Sequence, residues 1–149
     1  MFLLVEELKT SIDVFGKVMG AVTFAVGAIA GISLFVGAIG ILTILWIAVN
    51  ERTGEIGLLR ALGADARRIQ QLFLLEAVAL SLTGGAAGLA AGLALARIAH
   101  ALVPAMPLET PPKFIVAALV VSTLVGLVSG VAPARRAARL DPIEALRAE

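Results

Sequence analysis

The chain has 149 residues, 60% of them apolar, and its 15 glycines raise that share to roughly 70%, where soluble globular domains reach about 45–50%. Charged residues make up only 15%, the formal net charge is +1 and mean hydropathy is +1.02. These values exclude a soluble domain and intrinsic disorder, give no basic character for nucleic acid, and describe a membrane protein.

The N-terminal segment, 1–17, begins a regular seam. Leu4, Leu8, Ile12, Phe15, Met19, Val22 and Val26 are spaced by 4, 4, 3, 4, 3 and 4 residues, close to a heptad pattern. Glu6, Glu7, Lys9, Asp13 and Lys17 fall off it. The seam passes directly into 18–50, a run of 33 residues without Asp, Glu, Lys or Arg. A bilayer core needs about 20 helical residues, so this run is too long for one span and too short for two. It predicts a first transmembrane helix over 18–50 that tilts or projects, continuing from an extracytoplasmic stalk helix over 1–17. The alternative is an interfacial amphipathic helix followed by a separate span. The lack of Pro or Gly before Gly16 favours the continuous rod.

Two further charge-free runs, 77–96 (20 residues) and 114–134 (21 residues), have the length of one span each. The expected class is therefore an all-α membrane protein with three transmembrane helices. Between the spans lie a loop at 51–76 and a loop at 97–113, and a tail follows at 135–149. The first loop and the tail hold eight of the 12 basic residues: Arg52, Arg60, Arg67, Arg68, Arg135, Arg136, Arg139 and Arg147. By the positive-inside rule both are cytoplasmic, and the N-terminus and the 97–113 loop are outside. The opening MFLLVEELKTS has no basic n-region and is not a signal peptide. An outside N-terminus heading a projecting rod reads as a chain whose earlier part is missing.

Within 51–76, Ile56, Leu59 and Leu62 predict an apolar stripe on a short helix, with Leu58 beside it and Glu51, Glu55 and Arg60 around it. Gly63 is placed to stop that helix, and Asp65 to cap the next, which runs through Ile69 and Leu72 into the second span. Such a helix either rests on lipid headgroups or docks into a partner protein. In the tail, Arg135, Arg136 and Arg139 sit where a span leaves the bilayer and suit membrane anchoring. Asp141, Pro142 and Glu144 form a capping-box-like start for a short C-terminal helix.

Gly27 and Gly31, then Gly84, Gly88 and Gly92, then Gly126 and Gly130 recur at GxxxG spacing, read as helix packing inside the chain ahead of a dimer motif. Trp46 suits an interfacial anchor, Glu76 a snorkelling or capping residue, and His100 an exposed loop position. Without cysteine there is no thiol nucleophile or disulfide, and a lone histidine builds no metal site. No Walker A pattern occurs: around Gly16-Lys17, Ser11 stands at the leading glycine and Val18 follows the lysine. Catalytic residues, a metal and a cofactor are therefore not expected. Charge-free spans favour mechanical transmission over a polar conduction path.

The run Glu51-Arg52-Thr53-Gly54-Glu55-Ile56-Gly57-Leu58-Leu59-Arg60-Ala61-Leu62-Gly63-Ala64, with Leu75-Glu76-Ala77 beyond it, resembles the loop of MacB-type (FtsX-like) ABC transporter permeases. The tail from Pro133 to Arg147 resembles the end of the same permeases. The likeness covers the whole chain but only the C-terminal portion of a typical member, whose first helix and large extracytoplasmic domain lie upstream. It implies a fragment, or a partner chain supplying that half. It further implies a bacterial cytoplasmic (inner) membrane location, a second permease protomer and a cytoplasmic ABC ATPase that binds ATP-Mg. Its coupling helix would be Glu51 to Gly63, with Ile56, Leu59 and Leu62 filling an apolar groove and Glu51, Arg52, Glu55 and Arg60 setting register. Three outcomes stay open: export, outward signalling to cell-wall enzymes without transport, and an inactive remnant.

Overall fold

The computed structural model describes residues 2–103 and 110–141, with side chains from Glu6 onward. Among these residues four helices follow one another, α1 (Phe2–Glu51), α2 (Thr53–Ala61), α3 (Ala66–Leu102) and α4 (Pro112–Ala138), and no strand occurs. α1, α3 and α4 are each long and apolar enough to cross a membrane. This is the all-α membrane class with three such helices and a short helix after the first. The expected C-terminal helix, with Pro142 and Glu144, lies outside the described residues.

Helices outrun the charge-free intervals that mark them. The 77–96 run is the middle of α3, and the 114–134 run ends a turn before α4 does. Loss of apolar character stops a span, but only a cap or a break stops the backbone ladder. α1 likewise stays helical through Gly16 and Gly20 to Glu51, so the amphipathic stretch and the apolar run belong to one helix.

The chain divides into two compact units, Met1–Val36 and Gly37–Glu149. The described residues of the first are helix alone. Every side chain described in it is exposed, including the seam residues Leu8, Ile12, Phe15, Met19, Val22 and Val26. In the second unit, α3 and α4 form the extended helix pair, joined by small residues. Gly130 faces Ala77, Gly126 faces Ser81 and Gly85 faces Ser122, so the two helices run antiparallel. A Cβ added at Gly130 would lie 2.5 Å from the Ala77 Cβ, and one at Gly85 would lie 2.7 Å from the Ser122 Oγ. At Gly126 it would collide with the Ser81 side chain. The closeness lets the Ser122 hydroxyl donate to the Ser81 carbonyl at 2.9 Å, a cross-helix bond of the kind that holds membrane helices together.

The packing expected of the other glycines needs correction. At Gly27, Gly31, Gly84, Gly88 and Gly92 an added Cβ would meet nothing within 4 Å, so they make no close helix contact among the described residues. Gly84 precedes the seam residue Gly85 by one position, which turns it about 100° around the helix.

Below the seam the core widens. Val49 of α1, Ile56 of α2, Ile69 and Phe73 of α3, and Ala134 and Ala137 of α4 form one buried cluster. Small alanines on α4 leave room there for the Phe73 ring, which is 2% exposed.

Candidate functional site

The site is an elbow built from α2 and the helix ends around it. Arg52 alone separates α1 from α2. Its N–H donates to the Ala48 carbonyl at 3.0 Å, and its own carbonyl accepts from the Ile56 N–H at 3.0 Å. The Thr53 hydroxyl is shared between the Val49 and Asn50 carbonyls, at 3.0 and 2.7 Å. The Thr53 side chain therefore seals the end of α1 at the joint, beside the exposed Glu51 and Arg52.

α2 is split lengthwise. Thr53, Ile56, Gly57 and Arg60 lie on its inner side, buried or half-buried, whereas Glu55, Leu58, Leu59 and Leu62 are exposed. Each set follows helical i, i+3, i+4, i+7 spacing. The expected stripe of Ile56, Leu59 and Leu62 is corrected accordingly. Ile56 is 4% exposed and sits in the core, while Leu59 is 47% and Leu62 78% exposed. A step of three residues falls short of a full turn by about 60°, so Leu62 lies about 120° from Ile56. The outward apolar face is Leu58, Leu59 and Leu62, and Leu58 belongs to it fully. Counting i+3 together with i+4 around Leu58 and Leu62 would have found that face in the sequence.

The exit from α2 is a Schellman turn. Gly63 has φ +91, the left-handed region that glycine enters without cost. The Ala64 N–H donates to the Leu59 carbonyl at 2.9 Å and the Gly63 N–H to the Arg60 carbonyl at 3.1 Å, which closes the helix end. Asp65 then caps α3, accepting the Arg67 N–H at 3.4 Å. Both positions act as the sequence indicates.

Arg60 has a role that register-setting toward a partner did not foresee. Its Nη1 donates to the Ala138 carbonyl at 3.0 Å, placing a cation at the negative end of α4. The Arg139 and Leu140 N–H groups take the Arg136 and Ala137 carbonyls at 3.1 and 3.4 Å. So α2 is tied to α4 by a hydrogen bond and to the core by Ile56.

Around the end of α4, Arg135, Arg136, Arg139 and Asp141 are exposed. The Arg136 guanidinium lies over the Trp46 ring, 4.4 Å from its centroid, a cation–π stack. At the far end of α3, exposed His100 shares a shallow groove with Arg97 and Thr110. Glu76 is half-buried on α3. Among the described residues no group of three or more His, Asp or Glu side chains is placed to hold a metal ion. The arrangement is an outward apolar face on a short helix whose inner side is tied to the buried core by Ile56 and to α4 by Arg60.

Residues 27–142 match the family model described as FtsX-like permease C-terminal. The chain is 42% identical over 144 residues to the uncharacterized ABC transporter permease YknZ of Bacillus subtilis (strain 168), covering 97% of this chain and 35% of the relative. It is 46% identical over 127 residues to the macrolide export ATP-binding/permease protein MacB of Rhodopseudomonas palustris (strain HaA2), covering 85% and 19%. A MacB of Hahella chejuensis (strain KCTC 2396) is 44% identical over 133 residues, covering 89% and 20%. The chain thus spans about a third of the first relative's length and about a fifth of the other two.

Proposed function

The chain belongs to the FtsX-like permease family and is a multi-pass membrane protein; from that premise we propose that it carries the ATP-driven motion of a cytoplasmic ABC ATPase across the bilayer. In this reading α2 is the coupling helix and Leu58, Leu59 and Leu62 are its contact with the ATPase. Glu51, Arg52 and Glu55 flank the contact as charged partners whose contribution grows with burial. The observation that carries the proposal is the division of α2 into an outward apolar face and an inner face tied to α3 and α4 by Ile56 and Arg60. A force on the outer face then displaces the spans rather than bending α2.

The chain itself is a non-enzymatic subunit, and ATP-Mg belongs to the partner. In this reading, in keeping with the positive-inside rule, α2 and the arginine end of α4 lie on the cytoplasmic side of a bacterial inner membrane and the start of α1 lies outside as a stalk. A second permease protomer completes the assembly in this reading. The MacB relatives are named for macrolide export, which suggests efflux as the assembly's activity.

Co-purification with the cognate ATPase tests this, comparing wild type with Leu59→Asp and Leu62→Asp. Each substitution puts a carboxylate on the outer face without touching the core. Recovery of ATPase is expected to fall at least about tenfold, as for a charge buried in an apolar contact. Undiminished recovery by both variants, with helicity retained, would refute the coupling assignment.

A further inference from the structure

An open groove of about 660 Å³ runs beside the last turns of α4, lined by Trp46, Val128 and Val131 and by Arg135, Arg136 and Arg139 among others. We propose that it is a binding site for one anionic glycerophospholipid, with the phosphate on the arginines and an acyl chain along the valines and the indole.

Register supports this occupant. Val128, Val131, Arg135 and Arg139 follow steps of three and four residues, so they share one face of α4. The face is apolar over the part that lies deeper in the span and basic where the helix ends at Ala138. That order matches a lipid, whose acyl chain points to the bilayer centre and whose phosphate lies at its edge. It does not match a free anion, which gains nothing from the valines.

Charge agrees with shape. Three guanidinium groups line the groove, and among the described residues no carboxylate does. The last carbonyls of α4 already accept from Arg60, Arg139 N–H and Leu140 N–H, so they present little negative end to repel a phosphate. The Arg136 guanidinium sits over the Trp46 ring, and its five N–H donors exceed what the ring contact uses, leaving donors for a phosphate oxygen. An arginine fixed in this way loses little freedom on binding. Basic pockets between membrane helices at the cytoplasmic edge are suited to anionic headgroups.

Trp46 is the chain's single tryptophan and so reports on its own groove. The protein is reconstituted in phosphatidylcholine bilayers containing a minor fraction of phosphatidylglycerol, with bromine on the acyl chains of one lipid or the other. The two patterns of Trp46 quenching give the relative occupancy of the two lipids beside the indole. The expected preference for phosphatidylglycerol is about fivefold or more. It should fall to about one in R135Q/R136Q/R139Q and persist in R52Q/R67Q/R68Q, which removes the same charge away from the groove. A wild-type preference of one overturns the proposal, as expected if the arginines instead meet an acidic protein surface. Equal loss in both triple variants also overturns it, because diffuse surface charge would then explain the preference. Circular dichroism of the three proteins confirms that helix content is unchanged.

Discussion

The α3–α4 seam and the outer face of α2 are both built from residues at helical spacing, yet they meet opposite fates. In the seam, Ala77, Ser81 and Gly85 are spent on Gly130, Gly126 and Ser122 within the chain. On α2, Leu58, Leu59 and Leu62 stay exposed among the described residues. Exposure alone does not set the leucines apart, since the apolar side chains described along 6–36 are exposed too. Their setting does. α2 lies between two membrane helices in the chain, and Arg52, Glu55, Asp65, Arg67 and Arg68 flank its apolar face in sequence. An apolar face set among polar residues is thus the part of α2 that the proposed docking draws on.

The largest effect should come from crossing the boundary between the two kinds of surface on α2 itself. Ile56→Ala removes a side chain enclosed by Val49, Ile69, Phe73 and Ala134 and should cost about 3 kcal/mol, as for buried aliphatic truncations. Leu59→Ala, three residues on and exposed, should cost less than about 0.5 kcal/mol. Unfolding of each variant in mixed micelles, followed by Trp46 emission, measures both. Equal losses would mean that α2 has no inner and outer side.

A second pair tests the seam. Gly126→Leu drives a side chain into Ser81 and the Ala77 carbonyl and should destabilise the helix pair by about 2 kcal/mol. Gly88→Leu, where an added Cβ meets nothing within 4 Å, should leave the isolated protein unchanged in the same assay. A loss at Gly88 as large as that at Gly126 would show that both glycine faces are packed.

This glycine pair also marks how far the sequence could be read. Charge-free intervals identified all three membrane helices, because burial in lipid imposes a composition that needs no knowledge of packing. Gly63 and Asp65 were readable for a similar reason, since a left-handed turn and a helix cap are local demands. The seam was not. Gly84-Gly88-Gly92 and Ala77-Ser81-Gly85 have the same spacing and lie one residue out of phase, and only the opposing helix selects between them. Arg60 was unreadable likewise: its partner, the Ala138 carbonyl, is 78 residues away and is a backbone atom that no sequence pattern announces.

The smallest expected effect tests whether the turn joining α2 to α3 is held from both sides. Asp65 caps α3 through a bond of 3.4 Å to the Arg67 N–H on an exposed turn, longer than most N–H···O bonds. Asp65→Ala should therefore cost about 0.5 kcal/mol, the low end of the range for N-caps. Asp65→Asn should cost less, because the amide oxygen can still accept. The Schellman bonds at Gly63 remain in both variants and keep α2 closed, so recovery of the ATPase should match wild type. If Asp65→Ala lowers that recovery as much as Leu59→Asp does, the outward leucines are not the contact in themselves. Their orientation would then depend on the cap of α3, and the lever would have to include the first turn of α3 along with α2.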